Sequence, residues 1–321
     1  MDSGDIVVQG TSNDAAVSRE SAARLGYIND PFIGRFVKRP QRRAPLINRG
    51  THSRFDGVQR ILRQFVAQTS NGSEQPRGQV VVLGAGMDTS FFLLRQQGLR
   101  TRRYFEIDFS EITAKKAAVV YRAPMLKALL PDDVTVAAGG AELHSSEYSL
   151  LAGDLREFEA QVVPKLMAHG FDCTAPTLFL SECVLIYLDP QHSDTILDWI
   201  TNNVKHAGIL TYEQIRPDDR FGQMMIENLR ARGLELRGLH AYPTLQSTSQ
   251  RFLDRGWHSA VAADLVTYHE QMLSNAERER LARIEFLDEW EEFNLLAQHY
   301  AFTFAFTSPV SPFISMSLNE P

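Results

Sequence analysis

Apolar residues along this chain follow two rhythms. Before residue 70 they recur at helical spacing. Asp14 to Leu25, with an N-cap candidate and several alanines, predicts a helix stopped by Gly26, and Val58, Ile61, Leu62 and Phe65 share one face of a second. From Val80 onward, short apolar runs alternate with helix-length segments. Strands are predicted at Val80–Leu83, Arg103–Phe109, Tyr148–Leu155, Pro176–Glu182 and Gly208–Ile215. Helices are predicted between them at Ser90–Gln97, after Ser110, at Phe158–His169 and after Asp189-Pro190. That alternation implies parallel βαβ units in one doubly wound sheet. After residue 216 the rhythm breaks. Phe221–Arg232 and Leu245–Arg255 predict two inserted helices, followed by a sixth strand near 259–266, a long helix over 275–298 and a last strand at Tyr300–Phe306.

The pattern divides the chain into a disordered tail at 1–12, an N-terminal helical cap at 13–75, and a core at 76–321 with an insertion at about 216–257. Thr69 to Arg77, with Asn71-Gly72-Ser73, reads as the linker between cap and core. The polar stretch 131–147 carries no predicted element, and 308–321 reads as a loose tail.

Composition narrows the class. The 321 residues are 44% hydrophobic, enough for a sizeable core, and 33 basic against 39 acidic residues leave a net charge of −6. No basic excess points to nucleic acid or membrane, and the basic stretch from Arg35 to Arg43 reads as solvated surface. Two cysteines, Cys173 and Cys183, are too few for a disulfide framework. No apolar run is long enough to span a membrane, and Met1-Asp2-Ser3-Gly4-Asp5 lacks the basic and apolar regions of a signal peptide. A cytoplasmic monomer is the resulting expectation.

Candidate chemistry collects where the predicted strands end. Val80 to Leu83 stops at Gly84-Ala85-Gly86, after which Ser90 begins a helix; this strand, glycine turn and helix is the opening of a nucleotide-binding unit. Asp108 ends the second strand, Asp154 the third and Glu182 the fourth. In such sheets the ligand lies outside the carboxyl ends of the strands, and an acid ending the second strand can accept both hydroxyls of an adenosine ribose. Asp154 reads either as an adenine contact or as a turn residue. Glu182 sits in the apolar run Leu178–Leu188, where a buried charge requires a partner.

Two ligand classes compete for this turn. The dinucleotide fingerprint wants a third glycine where Thr89 stands, and Asp88 would face a pyrophosphate. Several carboxylates around one glycine turn suit the cationic S-adenosylmethionine better than a phosphate-bearing NAD. The final strand suits a seven-stranded methyltransferase sheet with an antiparallel last hairpin.

Several segments resemble one family. Asp30-Pro31-Phe32-Ile33, Ala44-Pro45-Leu46-Ile47-Asn48-Arg49-Gly50, Leu83 to Thr89, Tyr104 to Asp108, Ser181 to Tyr187, Tyr212-Glu213-Gln214 and Asp219 to Leu229 are similar, in order, to the leucine carboxyl methyltransferases. The resemblance covers roughly residues 15–305. It implies a class I, Rossmann-like α/β methyltransferase with a mostly parallel seven-stranded sheet. It implies methyl esterification of the C-terminal leucine carboxylate of the protein phosphatase 2A catalytic subunit, with S-adenosylmethionine as donor and no metal. It further implies that Arg54, Gly84, Asp108, Asp154, Leu155 and Glu182 bind the donor, alongside Gly86, with Arg19 as a basic contact. Arg54 is assigned to orient a carboxylate, the donor's or the substrate's, and Tyr187 to line the pocket. The alternatives are another carboxylate, a tRNA wybutosine precursor, or an NAD-linked oxidoreductase.

Overall fold

The structure, a computed structural model, describes residues 3–70, 77–309 and 312–319. At its centre lies a sheet of nine strands: β1 (Gln79–Leu83), β2 (Arg103–Asp108), β3 (Thr135–Ala137), β4 (Glu142–His144), β5 (Tyr148–Ala152), β6 (Thr177–Glu182), β7 (Ala207–Gln214), β8 (Ser259–Asp264) and β9 (Tyr300–Phe306). Their spatial order is β3-β4-β5-β2-β1-β6-β7-β9-β8. Strands β5, β2, β1, β6 and β7 run parallel, and β9 and β8 close that side antiparallel. This is the expected Rossmann-like methyltransferase fold, with β1 at the point where the chain reverses its direction of travel across the sheet. All five residues of β1 are buried, which explains why its sequence is a continuous apolar run. An acid inside β2 survives burial through partners. Glu106 meets Lys116 of the following helix at 2.6 Å, and its carboxylate accepts the Tyr148 hydroxyl at 2.8 Å.

Helix α1 (Ser3–Arg24) lies over the glycine turn at the strand ends, whereas α2 (Pro45–Ser70) runs down one face of the sheet, from Arg54 beside Glu182 at the end of β6 to Thr69 beside Gly78 just before β1. A third, α3 (Ser90–Gln96), leaves the glycine turn, and α4 (Ser110–Arg122) follows β2. The disordered tail expected at 1–12 is corrected here, because α1 already includes residues 3–12. Gly4, Gly10 and Ile6-Val7-Val8 are weak helix formers, but tertiary contacts override propensity. Arg156 grips Asp5 at 2.9 and 3.1 Å, and Asp14 pairs with Arg232.

Other expectations also shift. The sheet has nine strands rather than seven, since the stretch 131–147 contributes the short antiparallel hairpin β3–β4 at one edge. The helix expected over 275–298 is two, Asn275–Ile284 and Trp290–Ala297. Where a loose C-terminal tail was expected, residues 312–319 pack on the core. Phe313 is fully buried, stacks on Phe65 with centroids 5.6 Å apart, and covers Gly208, whose missing side chain leaves it room. Arg60 holds the tail through the Leu318 carbonyl at 2.9 Å. Most of the expected linker, residues 71–76, lies outside the described residues. The insertion near 216–257 holds helices Arg220–Ala231 and Leu245–Leu253. No described helix is long and apolar enough to cross a membrane.

Candidate active site

Above the carboxyl ends of β1, β2, β5 and β6 lies a cavity of about 710 Å³, and Arg19, Arg54, Gly84, Gly86, Asp108, Asp154, Leu155, Glu182 and Tyr187 all line it. The nine residues singled out from sequence are thus brought together, although Arg19 and Glu182 are far apart along the chain. Its volume falls in the roughly 300–1,000 Å³ range of small-molecule sites.

One half of the site is built by backbone turns. Gly84 and Gly86 hold φ of +65° and +50°, and a Cβ on Gly84 would lie 2.5 Å from a Val184 methyl. The turn aims the Gly86 N–H at Asp108 Oδ2, 2.7 Å away, while the Phe109 N–H donates to Oδ1 at 2.7 Å. Burial pushes the Asp108 carboxyl up to about 6, against those two bonds and the charge of Lys116. Each oxygen retains a lone pair, so Asp108 can accept two hydroxyls of a diol.

Asp154 is differently placed. It caps the short turn Leu155–Glu157 through the Arg156 N–H at 2.9 Å, and the Arg156 guanidinium reaches its carboxylate at 2.6 and 3.0 Å. Burial would raise this carboxyl, but the bonds and charge of Arg156 hold it below its ordinary value. Leu155 is buried beside it, an apolar wall for a planar ring.

The other half is built by side chains from distant elements. Arg54, on α2, donates from Nε to Glu182 Oε2 at 2.7 Å and from Nη2 to the Glu182 carbonyl at 3.3 Å, and lies over the Tyr212 ring at 5.0 Å. This is the partner that Glu182 required. Arg19, on α1, donates to Asp30 Oδ2, Asp88 Oδ1 and Thr89 Oγ1, each at 2.8 Å. Thr89, standing where a dinucleotide site wants glycine, therefore serves as an acceptor for Arg19. Burial opposes both guanidinium charges, but neighbouring carboxylates outweigh it and hold both pKa values above the ordinary arginine value. These bonds use three N–H groups of Arg19 and two of Arg54, out of five each. The remainder can hold a carboxylate. Tyr187 ends a short helical turn, Leu185–Tyr187, and its hydroxyl is kept protonated by burial.

Sequence reasoning missed Asp30, Asp88 and Arg156 as site-builders. Asp88 was legible as an acid beside the glycine turn, but its arginine partner lies 69 residues away. Arg156 stood two residues from Asp154, yet nothing local tied it to Asp5, 151 residues earlier.

Residues 8–201 match the protein family described as Leucine carboxyl methyltransferase. The chain is 38% identical over 302 residues to "Leucine carboxyl methyltransferase 1 homolog" of Arabidopsis thaliana, spanning 93% of this chain and 88% of that one. It is 36% identical to "tRNA wybutosine-synthesizing protein 4" of Homo sapiens, over 91% of this chain and 43% of that one. The crystal structure of a duf574 family protein from Streptomyces avermitilis shares the fold, with a TM-score of 0.55 at 12% identity, covering 92% of this chain and 97% of that one.

Proposed function

The chain belongs to the leucine carboxyl methyltransferase family and is a methyltransferase, and we propose that it esterifies the C-terminal leucine carboxylate of the protein phosphatase 2A catalytic subunit. The methyl donor in this reading is S-adenosylmethionine, which when bound supplies an electrophilic methyl on a positively charged sulfur. The donor set fits it. Asp108 offers two acceptor positions for a ribose diol, and the cavity lining carries eight carboxylates, Asp88, Asp108, Asp154 and Glu182 among them, against six guanidiniums. That balance suits a cationic ligand and disfavours a pyrophosphate.

The single observation that carries the reading is Arg54. Its guanidinium is fixed by Glu182 and Tyr212 yet keeps N–H groups for a carboxylate inside the cavity that Asp108 also lines. A terminal carboxyl with an ordinary pKa of about 3.5 is already ionised at neutral pH, so no general base is needed. The residues therefore act by placement. Arg19 and Arg54 hold carboxylates, Asp108 holds the diol, and α1 with the N-terminal turns of α2 excludes water from the strand ends. Bound there, the donor would supply the methyl to a carboxylate oxygen, the electron pair of the broken C–S bond staying on sulfur, and Arg19, Arg54 and Asp108 would hold the two reactants in line. Alignment of this kind can supply about 7–11 kcal/mol of barrier reduction.

The decisive experiment offers methyl-labelled donor with intact phosphatase catalytic subunit and with the same subunit lacking its last leucine. Base-labile label on the intact subunit alone is expected. Label on both, or on neither, overturns the substrate assignment.

A further inference from the structure

Beyond β6 the chain turns across the strand ends through Cys183 to Tyr187, and this loop carries much of the site. Its first residue, Cys183, holds a φ of +55°, a conformation that non-glycine residues rarely adopt. Val184 wedges against Gly84, and the Glu182 carbonyl before the loop receives Arg54. Tyr187 closes the loop on the cavity. From beneath, half-buried Glu213 of β7 accepts three successive backbone N–H groups: Val184 at 3.3 Å and Leu185 at 3.1 Å on Oε1, and Ile186 at 3.3 Å on Oε2. On the outer side the insertion adds one bond, from the Gly238 N–H to the Ile186 carbonyl at 2.9 Å.

No ion pair reaches Glu213 among the described residues, and Arg251, whose charge acts on it, is bound to Asp194. A carboxylate is an acceptor-only group with two oxygens, so it can take all three N–H groups at once; glutamine would turn an NH₂ toward a donor. We propose that Glu213 is a positioning residue for methyl transfer, its carboxylate fixing the 183–187 loop so that Glu182, Arg54 and Tyr187 meet in reactive register. It does not line the cavity.

The proposal deepens the reaction assigned above, so its test includes a readout independent of turnover. In Glu213→Gln, methyl transfer should fall at least tenfold and by more than donor affinity does, because the released loop carries Glu182 and Tyr187 whereas Asp108 is held by main-chain N–H groups outside it. Backbone amides of Val184, Leu185 and Ile186 should exchange with solvent faster than in the unmodified protein, whatever the substrate. A pH profile adds a signature. Burial pushes the Glu213 carboxyl up to about 7, and the charged or titratable groups acting on this region are Arg251, Cys183 and Tyr187. Turnover should rise as pH passes about 7 and the carboxylate ionises, and that limb should vanish in Glu213→Gln. If Glu213→Gln does not fold, Glu213→Asp, which keeps the charge one methylene short, is read by the same assays. Unchanged turnover with unchanged amide exchange overturns the proposal, and so does failure of both variants to fold, which would make Glu213 structural. An unmodified protein that transfers no methyl but loses amide protection in the variant would sink the reaction and leave the positioning intact.

Discussion

The two halves of the cavity are made by different means. At the glycine turn, Asp108 is held by two main-chain N–H groups, one from its own neighbour and one from the adjacent strand's turn. At the other end, Arg54 and Glu182 lie 128 residues apart and hold each other as an ion pair, steadied by an aromatic face. The first half is fixed by strand geometry, and its carboxylate remains available to a ligand. The second is fixed by mutual charge, so removing either partner strands the other in a partly buried place. Backbone-built sites should therefore lose binding when trimmed, and ion-pair-built sites should lose chemistry.

The largest expected effect tests that contrast directly. Arg54→Ala should retain the fold but reduce methyl transfer by on the order of 10²–10³-fold, the scale seen when one preorganised donor is removed from a reaction centre. Arg54→Lys should recover little, because an ammonium cannot span Glu182 and a second carboxylate as a planar fork does. Turnover of labelled methyl by either variant near the unmodified rate would remove Arg54 from the chemistry.

Asp108→Ala should act on binding instead. Even at about 1.5 kcal/mol each, the low end for a charged acceptor, two lost hydrogen bonds correspond to roughly a hundredfold weaker donor affinity by calorimetry, with turnover at saturation largely kept. The same residue sets a pH dependence. With its carboxyl at about 6, Asp108 is ionised above that pH and protonated below it, so donor affinity should fall about tenfold per pH unit on the acid side of 6. On folding, the sign is opposite. A carboxyl raised above its ordinary value favours the folded chain at low pH, and that contribution is lost as pH rises through about 6. Bound donor should thus protect the protein more at pH 8 than at pH 5.

Legibility in the sequence follows the same division. Gly84, Gly86, Asp108, Asp154 and Glu182 sit at ends of strands whose apolar runs are visible, so their convergence follows from parallel topology alone. The edge hairpin β3–β4 left no such signal, because each strand has only three residues and β3 is largely exposed. The buried C-terminal Phe313 and the helix over residues 3–12 were misjudged for one reason. Both owe their order to partners far away in sequence, Gly208 and Phe65 for the one, Arg156 and Arg232 for the other. Local propensity argues against the helical start, with two glycines and four β-branched residues, and long-range contacts override it.

The smallest expected effect lies where the two kinds of construction meet. Arg156 joins them: its backbone N–H caps onto Asp154, while its guanidinium bridges Asp154 to Asp5 at the start of α1. The Asp5 pair is only partly shielded, with 35% of the arginine and 15% of the aspartate side chain exposed, so solvent screening keeps its contribution modest, of order 1 kcal/mol. Arg156→Ala should therefore leave the core's melting nearly unchanged while loosening the first turns of α1, because Asp5 loses this anchor. Ser12 of that helix packs over Gly86, so the loosened segment is one that covers the glycine turn. Donor should dissociate a few-fold faster, and amide exchange should quicken within residues 4–12 but not along β1. Equal dissociation rates would show that α1 covers the site without help from Arg156. A loss as large as that of Asp108→Ala would instead mean that Arg156 sets the Asp154 carboxylate for the ligand, placing it with the backbone-built half.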